Sequence, residues 1–281
     1  MAEGARQEKT KLESTSIDRL TLYYDPAEQE AAKLIGQACA DSVRLIGESW
    51  GLDMPADCRV YVMTSWPQFL FHSAPWHWRV LLVLSVPLWY GKVNRLWKLA
   101  GGWQQQYGRR RAVGVKPPRI RQLADTSIGK RIFVQDDSIE KKVRQTTCHE
   151  LTHAFTAHLR LPMWLNEGMA MVTVDRLAGK PTVKPETVHV LRSASQGAAS
   201  QGYRQVLRSD ADTMVYQVVR GYWLTRYIED TQPDLLRGLL QQRHAHRVLE
   251  GKVANAYDLE MEGFWSGIDS IVASHFGEGS P

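Results

Sequence analysis

Apolar and polar positions alternate along residues 17–24, IDRLTLYY, with the period of a strand that buries one face. Asp25 and Pro26 follow as an N-cap and a first-turn proline, and the next stretch carries apolar residues at helical spacing as far as Gly51. CRVYVMT, residues 58–64, predicts a second strand, and RIFVQD, residues 131–136, a third. From about residue 139 to 159 the pattern is strongly helical, and Pro162 separates this helix from another that begins near Trp164. Past Pro181, Pro185 and the small-residue stretch SASQGAASQG, helices are predicted over 213–228, 233–242 and 259–275. No internal repeat is present. The pattern describes an α+β fold, a small sheet packed on helices and followed by a mostly helical C-terminal half. Residues 17–275 read as one domain between short tails, 1–16 and 276–281.

Residues 65–121 break this regularity. They hold Trp66, Trp76, Trp78, Trp89, Trp97 and Trp103, six of the chain's ten tryptophans, around the apolar run 80–90. That run is about half the roughly 20 residues a membrane-spanning helix needs, and Pro87 interrupts it. Glycines, an arginine triplet and the Pro117–Pro118 pair punctuate the rest, so the segment reads as a Trp-rich basic insertion of short helices and loop.

Charge sharpens the contrast. The chain carries a net +5, yet Asp and Glu are absent from Cys58 through Ala124, where Lys and Arg recur from Arg59 to Arg121. Such asymmetry calls for an anionic partner or a surface selected against acids. Two readings of residues 76–121 follow: a surface that docks on anionic lipid, with indoles at headgroup level, or a helical subdomain covering a cleft. Nucleic acid is disfavoured, because no recognisable binding module accompanies the basic and aromatic residues.

With 43% hydrophobic and 23% charged residues, the composition is that of an ordinary globular protein. Three scattered cysteines, Cys39, Cys58 and Cys148, match neither a disulfide framework nor a paired-cysteine zinc site. The first twenty residues are polar and charged with no apolar centre, unlike a secretory signal peptide. The expected setting is cytoplasmic, peripheral to a membrane if the basic segment docks there.

The chemistry concentrates in the helix predicted after residue 139. His149, Glu150, Leu151, Thr152 and His153 spell HELTH, an HExxH pattern. Four residues advance a helix by little more than a turn, so both imidazoles leave one face and can share a metal, with Glu150 beside it as general base. Two nitrogen ligands suit zinc, and a third protein ligand would leave one position open for water. Three fixed residues in a window of five arise by chance in on the order of 1% of chains this long. A second motif, WLNEGMA (164–170), lies just past the turn at Pro162, where a returning helix can bring Glu167 to the same ion.

HELTH followed by WLNEGMA resembles the gluzincin metallopeptidases of the thermolysin and aminopeptidase N type. The thirteen residues between His153 and Glu167 look more like the compact peptidase MA-like proteins. The resemblance is specific over residues 143–171 and implies a zincin-like fold, a zinc ion held by His149, His153 and Glu167, and peptide-bond hydrolysis with Glu150 as base. It also implies a Tyr or His on a later helix as donor to the developing oxyanion. Tyr216, Tyr222 and Tyr227 are candidates, Tyr216 the preferred one, with Arg220 a turn further on. No segment like the amine-anchoring GxMEN strand of aminopeptidases precedes His149, which favours an endopeptidase acting on a peptide or protein, and RIFVQD occupies the place of a substrate-aligning strand. Asp175 is a candidate partner for a ligand imidazole, and Cys148 is expected to pack on the far side of its helix. The competing readings are a regulator that keeps the metal for structure, and a protein that binds anionic lipid or nucleic acid.

Overall fold

Ordered chain begins earlier than its hydrophobic pattern suggests. In the computed structural model, which describes residues 11–123, 127–136, 138–193 and 199–277, β1 (Glu13–Ile17) and β2 (Leu20–Tyr24) form an antiparallel hairpin. Most of β1 is exposed, so its sequence carries no alternation, and the expected 1–16 tail contains a strand. In β2 the alternation is present, with Leu20, Leu22 and Tyr24 buried. Asp25 Oδ1 accepts from the Ala27 amide at 3.0 Å, and a short 3₁₀ turn at Pro26–Glu28 leads into α1 (Gln29–Trp50). That helix ends at Gly51, whose φ of 64° is the left-handed conformation that closes a helix and suits glycine. β3 (Asp57–Val62) then pairs parallel to β2.

The segment 65–121 is not short helices and loop. It folds as α2 (Trp66–Ser73), α3 (Trp76–Leu99), β4 (Gly102–Tyr107) and β5 (Arg110–Val115). The sheet order is β1-β2-β3-β5-β4, with β5 parallel to β3 and β4 antiparallel along the edge. Two of the five strands therefore come from residues that read as loop. Glutamines 104–106 give β4 no apolar alternation, and the arginine triplet masks β5, although Ala112, Val113 and Val115 are wholly buried. α3 runs past Pro87 as one element of 24 residues.

RIFVQD is not a strand. Its first two residues end α5 (Ser127–Ile132), which follows the single turn α4 (Pro118–Arg121), and Phe133 makes only an isolated bridge to Val183. Ile132 is buried at the end of a helix while Val134 is exposed, so the run's apolar content serves a link and not a sheet.

The period of two along the strands divides two packing layers. Val60, Val62, Val113 and Val115 face α1 and α6 (Ile139–Thr156), which lie side by side. Tyr61, Met63 and Ala112 face the other way, with Trp66 and Phe69 of α2 packed on them. α7 (Met163–Ala178) returns beside α6, and after α8 (Val190–Ser193) and α9 (Tyr203–Val206) the long α10 (Ala211–Thr231) crosses it. At this crossing a Cβ on Gly221 would stand 2.5 Å from the Trp164 carbonyl oxygen, so the helices meet backbone to backbone. α11 (Pro233–Leu240), α12 (His246–Ala256) and α13 (Phe264–Gly277) complete a helical C-terminal half. Residues 278–281 lie outside the described residues. Among the described residues, no helix is long and apolar enough to cross a membrane.

Candidate metal centre

α6 is positioned by its buried side. Val143, Thr147, Cys148, Leu151 and Phe155 are sequestered against α1 and the sheet, while His149 and His153 face Glu167 of α7 and Glu150 meets the start of the strand β4. Ser138 Oγ caps the helix by accepting from the Lys141 amide at 3.3 Å. α7 follows Pro162, and its second turn carries Glu167 back to the two imidazoles.

The three side chains converge. His149 Nε2 and His153 Nε2 are 3.0 Å apart, and the Glu167 carboxylate oxygens lie 3.5 Å from the first and 3.4 Å from the second. Metal bonds of about 2.0–2.1 Å at tetrahedral angles place ligand atoms roughly 3.3–3.4 Å apart, so the trio has the span of one ion's coordination shell. Each residue offers one ligand atom, and all three atoms fall within 4.8 Å of one another. Two nitrogens and a carboxylate oxygen form a donor set suited to zinc.

Charge in this cluster is strongly coupled. Burial alone would push His153 down, but the adjacent Glu167 carboxylate overrides it and holds the imidazole up at about 9. Burial likewise opposes ionisation of Glu167, yet His153 and His149 together hold it well below the usual carboxylate range. Glu150 moves the other way: burial raises it, the two histidines offset only part of that, and Glu167 adds repulsion. The two glutamates are thus driven apart, one as a fixed anion and the other as a carboxylate that takes up a proton more readily.

The strand edge completes the surroundings. Gly102, at the start of β4, lies so close to α6 that a Cβ there would stand 2.6 Å from Glu150 Cγ and 2.9 Å from Thr146 Cγ2. β4 pairs only with β5 among the described residues, leaving its outer edge unpaired next to Glu150. The edge strand at the site is therefore β4, not RIFVQD.

A tyrosine that the sequence did not single out stands at the trio. Tyr203, on the single turn α9, donates to Glu167 Oε1 at 2.7 Å. Its oxygen accepts from Asn166 Nδ2 at 2.6 Å, and Asn166 Oδ1 accepts from the Thr156 hydroxyl at 2.8 Å. This relay ties the end of α6, the start of α7 and α9 around one carboxylate. Burial and the Glu167 charge both raise the Tyr203 phenol well above its ordinary range, so it remains a donor.

The tyrosines of α10 are placed elsewhere. Tyr216 is buried, and its hydroxyl donates to Asp269 on α13 at 2.6 Å, with Arg220 bonded to both. That corrects its expected role, because its polar end is committed to a buried ion pair. Tyr222 donates to Asp175 Oδ2 at 2.7 Å, and Tyr227 packs on Tyr257 and His275. Asp175 does not serve an imidazole; its other oxygen accepts from the Thr182 amide and hydroxyl, both at 2.7 Å. Cys148 is buried on the far side of α6, where burial pushes its thiol up to about 12. No family model matches the chain, and no curated protein matches it.

Proposed function

We propose that this protein is a zinc-dependent peptidase of the gluzincin type, an endopeptidase that cleaves peptide or protein substrates. The observation that carries the reading is the convergence of His149, His153 and Glu167 within 3.0–3.5 Å, with Glu150 one residue along the same helix and an unpaired strand edge beside it. His149, His153 and Glu167 would hold the zinc ion, which would supply Lewis acidity toward the attacking water and the scissile carbonyl. Glu150 would accept the proton of that water at its carboxylate and deliver it to the leaving amine. Glu167 stays ionised and fixed by the Tyr203 hydroxyl. An extended substrate adds to β4 as a further strand, its backbone pairing with the open edge so that a peptide bond lies over α6.

The test is Glu150→Gln. Metal content measured by elemental analysis stays near that of the unaltered protein, while cleavage of an unstructured protein falls about 100- to 10,000-fold. Undiminished cleavage by a zinc-loaded variant would remove Glu150 from the reaction and the peptidase reading with it.

A further inference from the structure

α3 presents an apolar face that nothing among the described residues covers. Trp76, Val80, Val83 and Leu84 are all exposed, Trp76 to 76% and Leu84 to 75%. At about 100° per residue these four positions fall within roughly a third of the helix circumference, and they form one stripe about 12 Å long. The opposite side is anchored. Leu82, roughly opposite the stripe, packs against the cluster around Tyr61 and Phe69, and Trp97 near the far end of the helix packs there too. Lys116 at the end of β5 bonds to the Trp97 carbonyl, its ammonium 4.1 Å from the centre of the Trp97 ring. The stripe is therefore held outward by the fold.

We infer that α3 lies in the plane of an anionic bilayer, with this stripe embedded at the headgroup boundary and Trp76 at the interface. The inference is independent of the metal centre. Charge selects the occupant: from Cys58 to Ala124 there is no acidic residue, while Arg79 and Lys98 on α3 are exposed. Trp78 packs on Tyr107 at 5.9 Å, which sets the first turns of α3 beside the β4–β5 turn that carries the exposed Arg109. A second copy meeting this face with its own would set the exposed Arg79, Lys98 and Arg109 against the same cations. An anionic bilayer takes both the apolar stripe and the cations around it, and each basic residue near such a surface adds to the attraction.

The experiment uses the whole chain, because removing residues 76–121 would also remove β4 and β5. Flotation is measured with vesicles of phosphatidylcholine alone and of phosphatidylcholine mixed with phosphatidylserine, at low and high salt. The protein floats with the mixed vesicles, less so at high salt, and not with phosphatidylcholine alone. The double substitution Val80→Glu and Leu84→Glu weakens partitioning by at least about tenfold without lowering the melting temperature. Failure to float with the mixed vesicles, or equal flotation of the double variant, would overturn the inference. So would equal flotation with both lipid mixtures, which would remove the charge argument. Self-association of the wild-type chain in sedimentation, abolished by the double variant, would make a second copy the occupant instead.

Discussion

Glu167 and Tyr203 show how much hangs on single side chains. The carboxylate needs both its oxygens directed at the imidazoles, and the Tyr203 hydroxyl at 2.7 Å restrains one of them, itself steadied by Asn166. Groups that orient a metal ligand commonly govern affinity more than fold. Tyr203→Phe removes that restraint while keeping the ring. Zinc affinity, measured by competition with a chromophoric chelator, is expected to fall about 10- to 100-fold with little change in melting temperature. An unchanged affinity would show that Glu167 is held by its own helix alone. His149, Glu150 and His153 were legible because their spacing is a property of a helix, and Glu167 because WLNEGMA follows the turn at Pro162. Tyr203 was not, since it follows a loop and reaches Glu167 across 36 residues of sequence.

At the scale of elements, the approach of β4 to α6 is the most exacting contact at the site. Gly102 admits no side chain, because a Cβ would collide with Glu150 Cγ, Thr146 Cγ2 and, at 3.0 Å, the Gly114 carbonyl oxygen. Gly102→Ala is expected to displace either the strand edge or Glu150. Hydrolysis should fall sharply while zinc content is retained, and overpacking should lower stability by about 1–3 kcal/mol in denaturant melts. Unaltered turnover would indicate that neither the β4 edge nor the position of Glu150 matters for substrate. The two strands β4 and β5 also mark where reading by periodicity stopped. Their glutamines and arginines obscure alternation, and β5 is recognisable only by its neighbours β3 and β4. RIFVQD erred in the opposite sense, carrying strand-like composition into the end of a helix.

For the whole molecule, the trio links metal binding to stability. Without metal, His153 is held up at about 9 by Glu167, against an ordinary value of 6.5. A raised histidine contributes stability that is complete below about pH 6.5 and is lost as pH rises through about 9. Glu167, held below its ordinary 4.5, contributes stability that is present above that value and is lost as pH falls through its lowered one. Chelator-treated protein should therefore melt at falling temperature between about pH 6.5 and 9. Zinc-loaded protein should resist that decline, because the ion takes the nitrogen lone pairs in place of the proton, and should lose its advantage in acid as protons displace the metal. Thermal melts across pH with and without chelator decide the matter, and parallel curves would argue against a metal at these residues.

Local pattern by itself determined the helix bearing HELTH, the return helix bearing WLNEGMA, and the alternation of β2 and β3, because each depends on spacing along one element. It also determined the acid-free segment and its tryptophans, which are matters of composition. Only the tertiary structure decided what that segment is. One part of it completes the sheet and sets a strand edge on Glu150, and another stands outward as α3. Tertiary packing likewise decided which tyrosine meets the carboxylate. Asp269 and Arg220 draw Tyr216 into the core, whereas the turn at α9 carries Tyr203 to Glu167. Contacts between elements distant in sequence leave no periodic trace, so the partners of these side chains are set by where whole helices and strands come to rest.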